Sequence, residues 1–80
     1  MNAQNWIKVI ETETRTVFAA TKGFHGVVTI EKIPEVDVNT IEVTGYTYSV
    51  GSSKKYDRWQ SFNSYEKALK AAEKKMEQLD

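Results

Sequence analysis

The fold is decided by the stretch from Phe62 to Asp80, which reads FNSYEKALKAAEKKMEQLD. Its apolar residues recur at steps of three or four, the spacing that forms one stripe along an α-helix. The pattern predicts an amphipathic helix, capped either by Asn63 together with Glu66 or by Ser64. A helix this short is marginal alone in water, so the rest of the chain must supply a surface for the stripe. The stripe consists of Tyr65, Ala68, Leu69, Ala72, Met76 and Leu79.

The first half of the chain is patterned as β-structure. The run over residues 6–20 is rich in β-branched residues and threonine and has no turn residue, which predicts one long or bent strand, or two in tandem. A turn at Lys22-Gly23 and a second strand from Phe24 to Ile33 follow. Pro34 is expected to end this strand, because proline removes a ladder donor.

Two more strands are expected before the helix. The third is predicted over Thr40 to Val50, after a polar connection over residues 35–39 that is too short for a helical crossover. Residues 51–54 are typical of a hairpin loop, and the fourth strand is predicted from Lys55 to Phe62. The order β-β-β-β-α predicts an α+β fold, in which an antiparallel meander of about four strands is packed by one C-terminal helix. We expect one small domain over residues 1–80, with residues 1–4 flexible.

The third strand contains an irregularity at Gly45. Strict alternation places Ile41 and Val43 on one face, and Tyr46, Tyr48 and Val50 on the other. A β-bulge near Thr44-Gly45 would bring all five apolar side chains to one face. Without a bulge, Tyr46 and Tyr48 would face solvent. The glycine favours the bulge and leaves the alternative open.

Composition limits the function classes. Eleven basic and eleven acidic residues give a net charge of zero, which argues against a dedicated nucleic-acid binder. Residues 1–53 carry four basic and six acidic side chains, and residues 54–80 carry seven and five, so the C-terminal third is the more basic part. Cysteine is absent, which excludes disulfides and thiolate chemistry. No pattern predicts a signal peptide or a membrane span, so a cytoplasmic location without a membrane partner is expected.

Catalytic patterns are lacking. His25 is the only histidine, and it is expected at the solvent edge of a turn, without a nucleophile or an orienting partner. The serines occupy turn and cap positions, and the glycines form no phosphate-binding loop. We therefore predict no enzyme, no cofactor and no metal site.

Nine aromatic residues exceed what so small a core needs. Phe18, Phe62, Tyr65 and one tryptophan are expected to pack under the helix. Other aromatic residues and the basic hairpin form a candidate binding patch, because tyrosine and arginine are enriched at binding hot spots. The alternative is an ordinary hairpin edge with solubilising lysines. The candidate binding residues are Tyr46, Tyr48, Lys54, Lys55, Tyr56 and Arg58.

The last part of the chain resembles a known family. The segment GYTYSVG at residues 45–51, the basic hairpin after it, and FNSYEKALKAA at residues 62–72 are similar to the second half of arm-type DNA-binding domains of phage tyrosine recombinases. The resemblance implies a three-stranded sheet followed by a helix, with DNA read from the sheet. The chain departs from that family in its weak basicity, its extra N-terminal strand and its lack of a catalytic domain. The corresponding positions are Tyr46, Tyr48, Lys54, Lys55 and Arg58.

These observations predict a non-catalytic protein-binding module. Its size class suggests an accessory or inhibitory protein of a phage or mobile element that binds a host protein. The alternative is a small nucleic-acid-binding domain that uses the sheet face and the 51–58 hairpin. Because the core is small, a homodimer joined through an edge strand is a further expectation.

Overall fold

The protein is an antiparallel sheet with one helix packed on it, described by a computed structural model over residues 6–21, 26–54 and 57–79. The strands follow one another across the sheet in chain order, so the predicted α+β meander with a C-terminal helix is confirmed. The predicted flexible lead at residues 1–4, the turn at Lys22-Gly23, and His25 lie outside the described residues. The elements are β1 (Trp6–Glu11), β2 (Arg15–Ala20), β3 (Val27–Asp37), β4 (Glu42–Ser52), β5 (Gln60–Phe62) and α1 (Tyr65–Leu79).

The N-terminal run forms a hairpin, which raises the strand count in the described residues to five. Thr12 makes the turn: its hydroxyl accepts hydrogen bonds from the Thr14 and Arg15 amides, at 3.3 and 3.0 Å. The Thr12 amide donates to the Arg15 carbonyl at 2.8 Å. A threonine hydroxyl can therefore reverse the chain without glycine, proline or asparagine, which is why the run carried no turn signal.

Pro34 does not end β3, so that prediction is wrong. β3 continues to Asp37, and Pro34 lies opposite Tyr46 of β4. The Lys32 amide donates to Thr14, on the β2 side of β3, at 2.8 Å. Amides two residues apart point to the same side of a strand, so the ring nitrogen of Pro34 also faces the β2 side. β2 pairs with β3 only as far as Glu31, so no described strand lies beside Pro34 on that side. The absence of an amide proton on Pro34 therefore removes no hydrogen bond between strands.

The bulge in β4 is confirmed. Glu35 pairs with Gly45 and Val36 pairs with Val43, so Thr44 is the extra residue. Cross-strand partners share a face. Val43 consequently joins Tyr46, Tyr48 and Val50 on the face that holds the helix. Ile41 lies outside the strand, in the turn before it.

The connection between β4 and β5 differs from the predicted hairpin. Gly51 and Ser52 belong to β4, where they pair with Thr29 and Val28 of β3. β5 has three residues, and residues 57–59 precede it without strand structure. The end of β4 and the start of β5 therefore both lie later in the chain than the sequence pattern predicts.

Helix α1 has Ser64 as its cap, since the Lys67 amide donates to the Ser64 hydroxyl at 3.2 Å. Asn63 makes a different contact, accepting from the Lys67 ammonium at 3.3 Å, so the Asn63–Glu66 box does not form. Helix and sheet bury one core between them. Phe18 and Phe62 pack at its border, and Trp6 is the tryptophan that enters it. The buried hydrophobic cluster is Trp6, Val28, Ile30, Val50, Ala68, Ala72 and Met76.

Candidate protein-binding surface

The β3–β4 hairpin extends beyond the rest of the sheet. β2 pairs with β3 as far as Glu31, and β5 pairs with β4 over residues 48–50. Residues 33–47, called the ribbon below, find their strand partners only in each other among the described residues. The ribbon contributes to an elongated shape, with extents of 47, 24 and 19 Å along the principal axes. An isolated two-stranded hairpin is marginal in water, so the ribbon depends on the sheet at its base.

The ribbon exposes large hydrophobic side chains. Val36 and Val43 are cross-strand partners, and Pro34 and Tyr46 form the next pair on the same face. This face continues from the core, but the helix does not cover it. On this face Val36, Val43 and Tyr46 are 46–53% exposed. Ile33 is 44% exposed on the opposite face, and Val38 and Ile41 are 85% and 81% exposed in the turn at the tip.

The tip of the ribbon is ordered by Asp37. Its carboxylate accepts a hydrogen bond from the Asn39 amide at 2.8 Å, and its carbonyl accepts one from the Ile41 amide at 2.7 Å. Ile41 has a φ of 56°, in the left-handed region that β-branched residues avoid. Its side chain is 81% exposed, so no burial within the described structure compensates for this backbone conformation.

The ribbon is acidic. Glu35, Asp37 and Glu42 are its only charged residues, and all three are carboxylates. Glu35 is held in place, because it accepts a hydrogen bond from the Thr47 hydroxyl at 2.6 Å. By the strand register, these three carboxylates lie on the face of the ribbon opposite Val36 and Val43, so the apolar row and the acidic residues occupy different faces.

The two predicted tyrosines have different environments. Tyr46 is exposed on the ribbon, with the Lys32 ammonium 4.2 Å from its ring centroid, a cation–π arrangement. Tyr48 is half-buried against the core and meets Tyr65 edge to face, with centroids 5.9 Å apart. Tyr46 is therefore available for contact with a partner, whereas the Tyr48 ring packs against the core and against Tyr65 of α1.

The predicted basic residues lie at the opposite end of β4. Lys54 and Arg58 are exposed beside the end of that strand, while Lys55 and Tyr56 are outside the described residues. Tyr46 and Ser52 are six positions apart on β4, roughly 20 Å at the rise of a strand. The six predicted residues are therefore not gathered into one patch: Tyr46 belongs to the ribbon, and Lys54 and Arg58 to the far end.

An ion pair that the sequence analysis did not identify organises that far end. The Lys75 ammonium lies 3.0 Å from the Asp57 carboxylate, and both side chains are about 15% exposed. The Ser52 amide donates to the same carboxylate at 2.8 Å. Burial alone would raise the pKa of Asp57, but the hydrogen bonds from Lys75 and Ser52 and the charge of Lys75 outweigh it, so the pKa is lowered. The sequence offered one indication that Lys75 would be partly buried: it follows Ala72 by three residues and so lies beside the buried stripe of α1.

A cleft lies elsewhere, between α1 and the β1–β2 turn. It has a volume of about 460 Å³, an apolar floor that includes Phe18 and Leu69, and a rim that mixes Lys8 and Arg15 with acidic side chains. In the described ranges, no group of three or more His, Asp or Glu side chains is placed to hold a metal ion. No helix in that part of the chain is long and apolar enough to cross a membrane.

No protein-family model, curated protein sequence or solved structure matches this chain.

Proposed function

We propose that the protein is a non-catalytic protein-binding module and that the ribbon is its contact surface. The observation that carries the proposal is the row of exposed hydrophobic residues on a projecting hairpin. Monomeric proteins rarely expose large contiguous apolar patches, and such patches mark interaction sites. The partner is a protein that offers an apolar surface to the row formed by Pro34, Val36, Val43 and Tyr46.

The backbone at Ile41 supports this role. A β-branched residue in the left-handed region costs about 1–2 kcal/mol relative to an ordinary conformation. Strain of this kind clusters at functional sites. Ile41→Gly removes both the strain and the side chain, so we expect the free energy of unfolding to stay unchanged or to rise by up to about 1 kcal/mol. Partner binding should weaken at the same time.

The test is affinity capture of a partner from a lysate of the source cells, followed by mass spectrometry, with matched variants. Val36→Thr with Val43→Thr makes the ribbon polar while keeping β-branched shapes. Ile7→Thr with Val9→Thr is the control, because these β1 side chains are 53% and 49% exposed in the parent chain. We expect a partner that the parent and the β1 control retain and the ribbon variant loses. A partner retained by the ribbon variant, with circular dichroism showing all three folded, would contradict the proposal.

A second candidate function is nucleic-acid binding at the far end of β4. Trp59 is 48% exposed and its indole covers Gly51, next to the exposed Arg58 and near Lys54. Stacking aromatics beside cations are typical of single-strand binding. Binding to a fluorescent oligonucleotide should then fall steeply with salt and weaken in Arg58→Ala and Lys55→Ala. A chain that shows no binding at low salt does not have this function.

The phage or mobile-element role, the resemblance to arm-type DNA-binding domains and the edge-strand homodimer stay predictions. Light scattering at micromolar concentration tests the homodimer directly.

A further inference from the structure

A second groove lies between β5 and α1, on the side of the molecule where β5 forms the edge of the sheet. β5 pairs with β4 through residues 60–62, and no described strand pairs with its other side. The groove has a volume of about 400 Å³, and its floor includes the half-buried Phe62 and Ala71. An unpaired strand edge presents backbone donors and acceptors to a further strand.

The charged side chains that line this groove are all positive. Lys67, Lys70 and Lys74 line it together with Gln60, and no carboxylate does. Their spacing of three and four residues places them on one side of α1. The Lys67 ammonium donates to Asn63, and no carboxylate of the described residues forms an ion pair with Lys70 or Lys74. Glu66 lies four residues before Lys70 on α1 but forms no ion pair with it.

We propose that this groove binds an extended acidic peptide segment, which adds to β5 as a sixth strand. The edge of β5 supplies main-chain hydrogen bonds, and alternate side chains of the peptide point toward the lysines. The charge complementarity selects glutamate or aspartate at those positions. The backbone ladder distinguishes a peptide from a nucleic acid, which would use the lysines and leave the edge unpaired. This site is separate from the ribbon, so it is tested independently of the proposed function.

The experiment is fluorescence anisotropy of a labelled octapeptide of alternating glutamate and valine, titrated with the full chain at low ionic strength. Each of Lys70→Gln and Lys74→Gln should weaken binding about threefold, as expected for a partly exposed ion pair. Together they should weaken it about tenfold if the two sites act independently. Lys32→Gln is the control, because Lys32 lies over Tyr46 and outside the groove. This variant should bind the peptide with the affinity of the parent chain.

Two further probes separate strand addition from simple charge attraction. A peptide of the same sequence with alternate backbone amides methylated cannot complete the ladder, and it should not bind. In nuclear magnetic resonance spectra, the unmodified peptide should slow the hydrogen exchange of those amides in residues 60–62 that point away from β4. The proposal is overturned if the methylated peptide binds equally well, if an oligothymidylate of equal charge competes with the same affinity, or if the unmodified peptide does not bind.

Discussion

The two ends of the β3–β4 hairpin carry similar side chains in different surroundings. At the base, Val28, Ile30 and Val50 lie under α1 and are buried. Along the ribbon, Val36 and Val43 occupy the same face and are half exposed. The cause is length: α1 has 15 residues and spans about 22 Å, whereas each 11-residue strand spans about 36 Å. The same residue type therefore builds the core at one end and an accessible surface at the other.

The largest effect is expected from a charge placed at each end of this face. Val50→Asp puts a carboxylate at a position with 0% exposure and should cost more than about 4 kcal/mol, enough to unfold a domain of this size. Val43 lies on the same strand and face but is 53% exposed. Val43→Asp should therefore lower the free energy of unfolding by less than about 1 kcal/mol. Urea unfolding followed by circular dichroism measures both. Equal losses would show that the ribbon shares in the core.

The next effect concerns the ion pair at the base. Asp57→Asn leaves Lys75 partly buried without its counter-charge and should cost about 3 kcal/mol at neutral pH. The control is Glu11→Gln, which breaks the exposed pair with Lys8 and should cost less than about 1 kcal/mol.

The pH dependence of the same pair has a defined sign. The pKa of Asp57 is lowered in the folded state, so its contribution is present above the unfolded-state pKa and is lost as pH falls through the folded-state pKa. The difference between parent and Asp57→Asn should therefore persist down to about pH 4 and shrink below it. A difference that grows as the pH falls would contradict the assignment.

The smallest effect compares two glycines of β4. A Cβ at Gly51 would collide with the Trp59 indole, whereas one at Gly45 would meet only Glu35 at 3.8 Å, an ordinary contact. Gly51→Ala should therefore destabilise by about 1–3 kcal/mol. Gly45→Ala should be neutral or stabilise by up to about 1 kcal/mol, because it restricts the unfolded chain. Thermal melts and the change in Trp59 fluorescence measure the pair, and a larger loss at Gly45 would place the tighter packing in the ribbon.

Helix α1 and the bulge at Thr44 are predictable from sequence because their signals are local. The helix follows from the spacing of apolar residues, and the bulge follows from a change of phase at a glycine. The turn at Thr12 and the passage of β3 through Pro34 are not predictable in this way. The first depends on a side-chain hydrogen bond, and the second on where a neighbouring strand stops.

The candidate surface shows the same division. Tyr46 was identified from its residue type, but the exposure of Val36 and Val43 depends on how far α1 reaches along the sheet. The Asp57–Lys75 pair joins positions 18 residues apart, and no local pattern encodes it. Sequence reasoning thus identifies elements more readily than surfaces, because exposure is a property of the packed arrangement.

Amide hydrogen exchange of the free protein, followed by nuclear magnetic resonance, tests directly whether the two ends of the hairpin are independent. We predict that the slowest amides near Val28, Ile30 and Val50 exchange through global unfolding, since they belong to the core. Amides within the ribbon should exchange through local opening, orders of magnitude faster. Uniform protection along β3 and β4 would contradict the account, because the ribbon would then be part of the cooperative core.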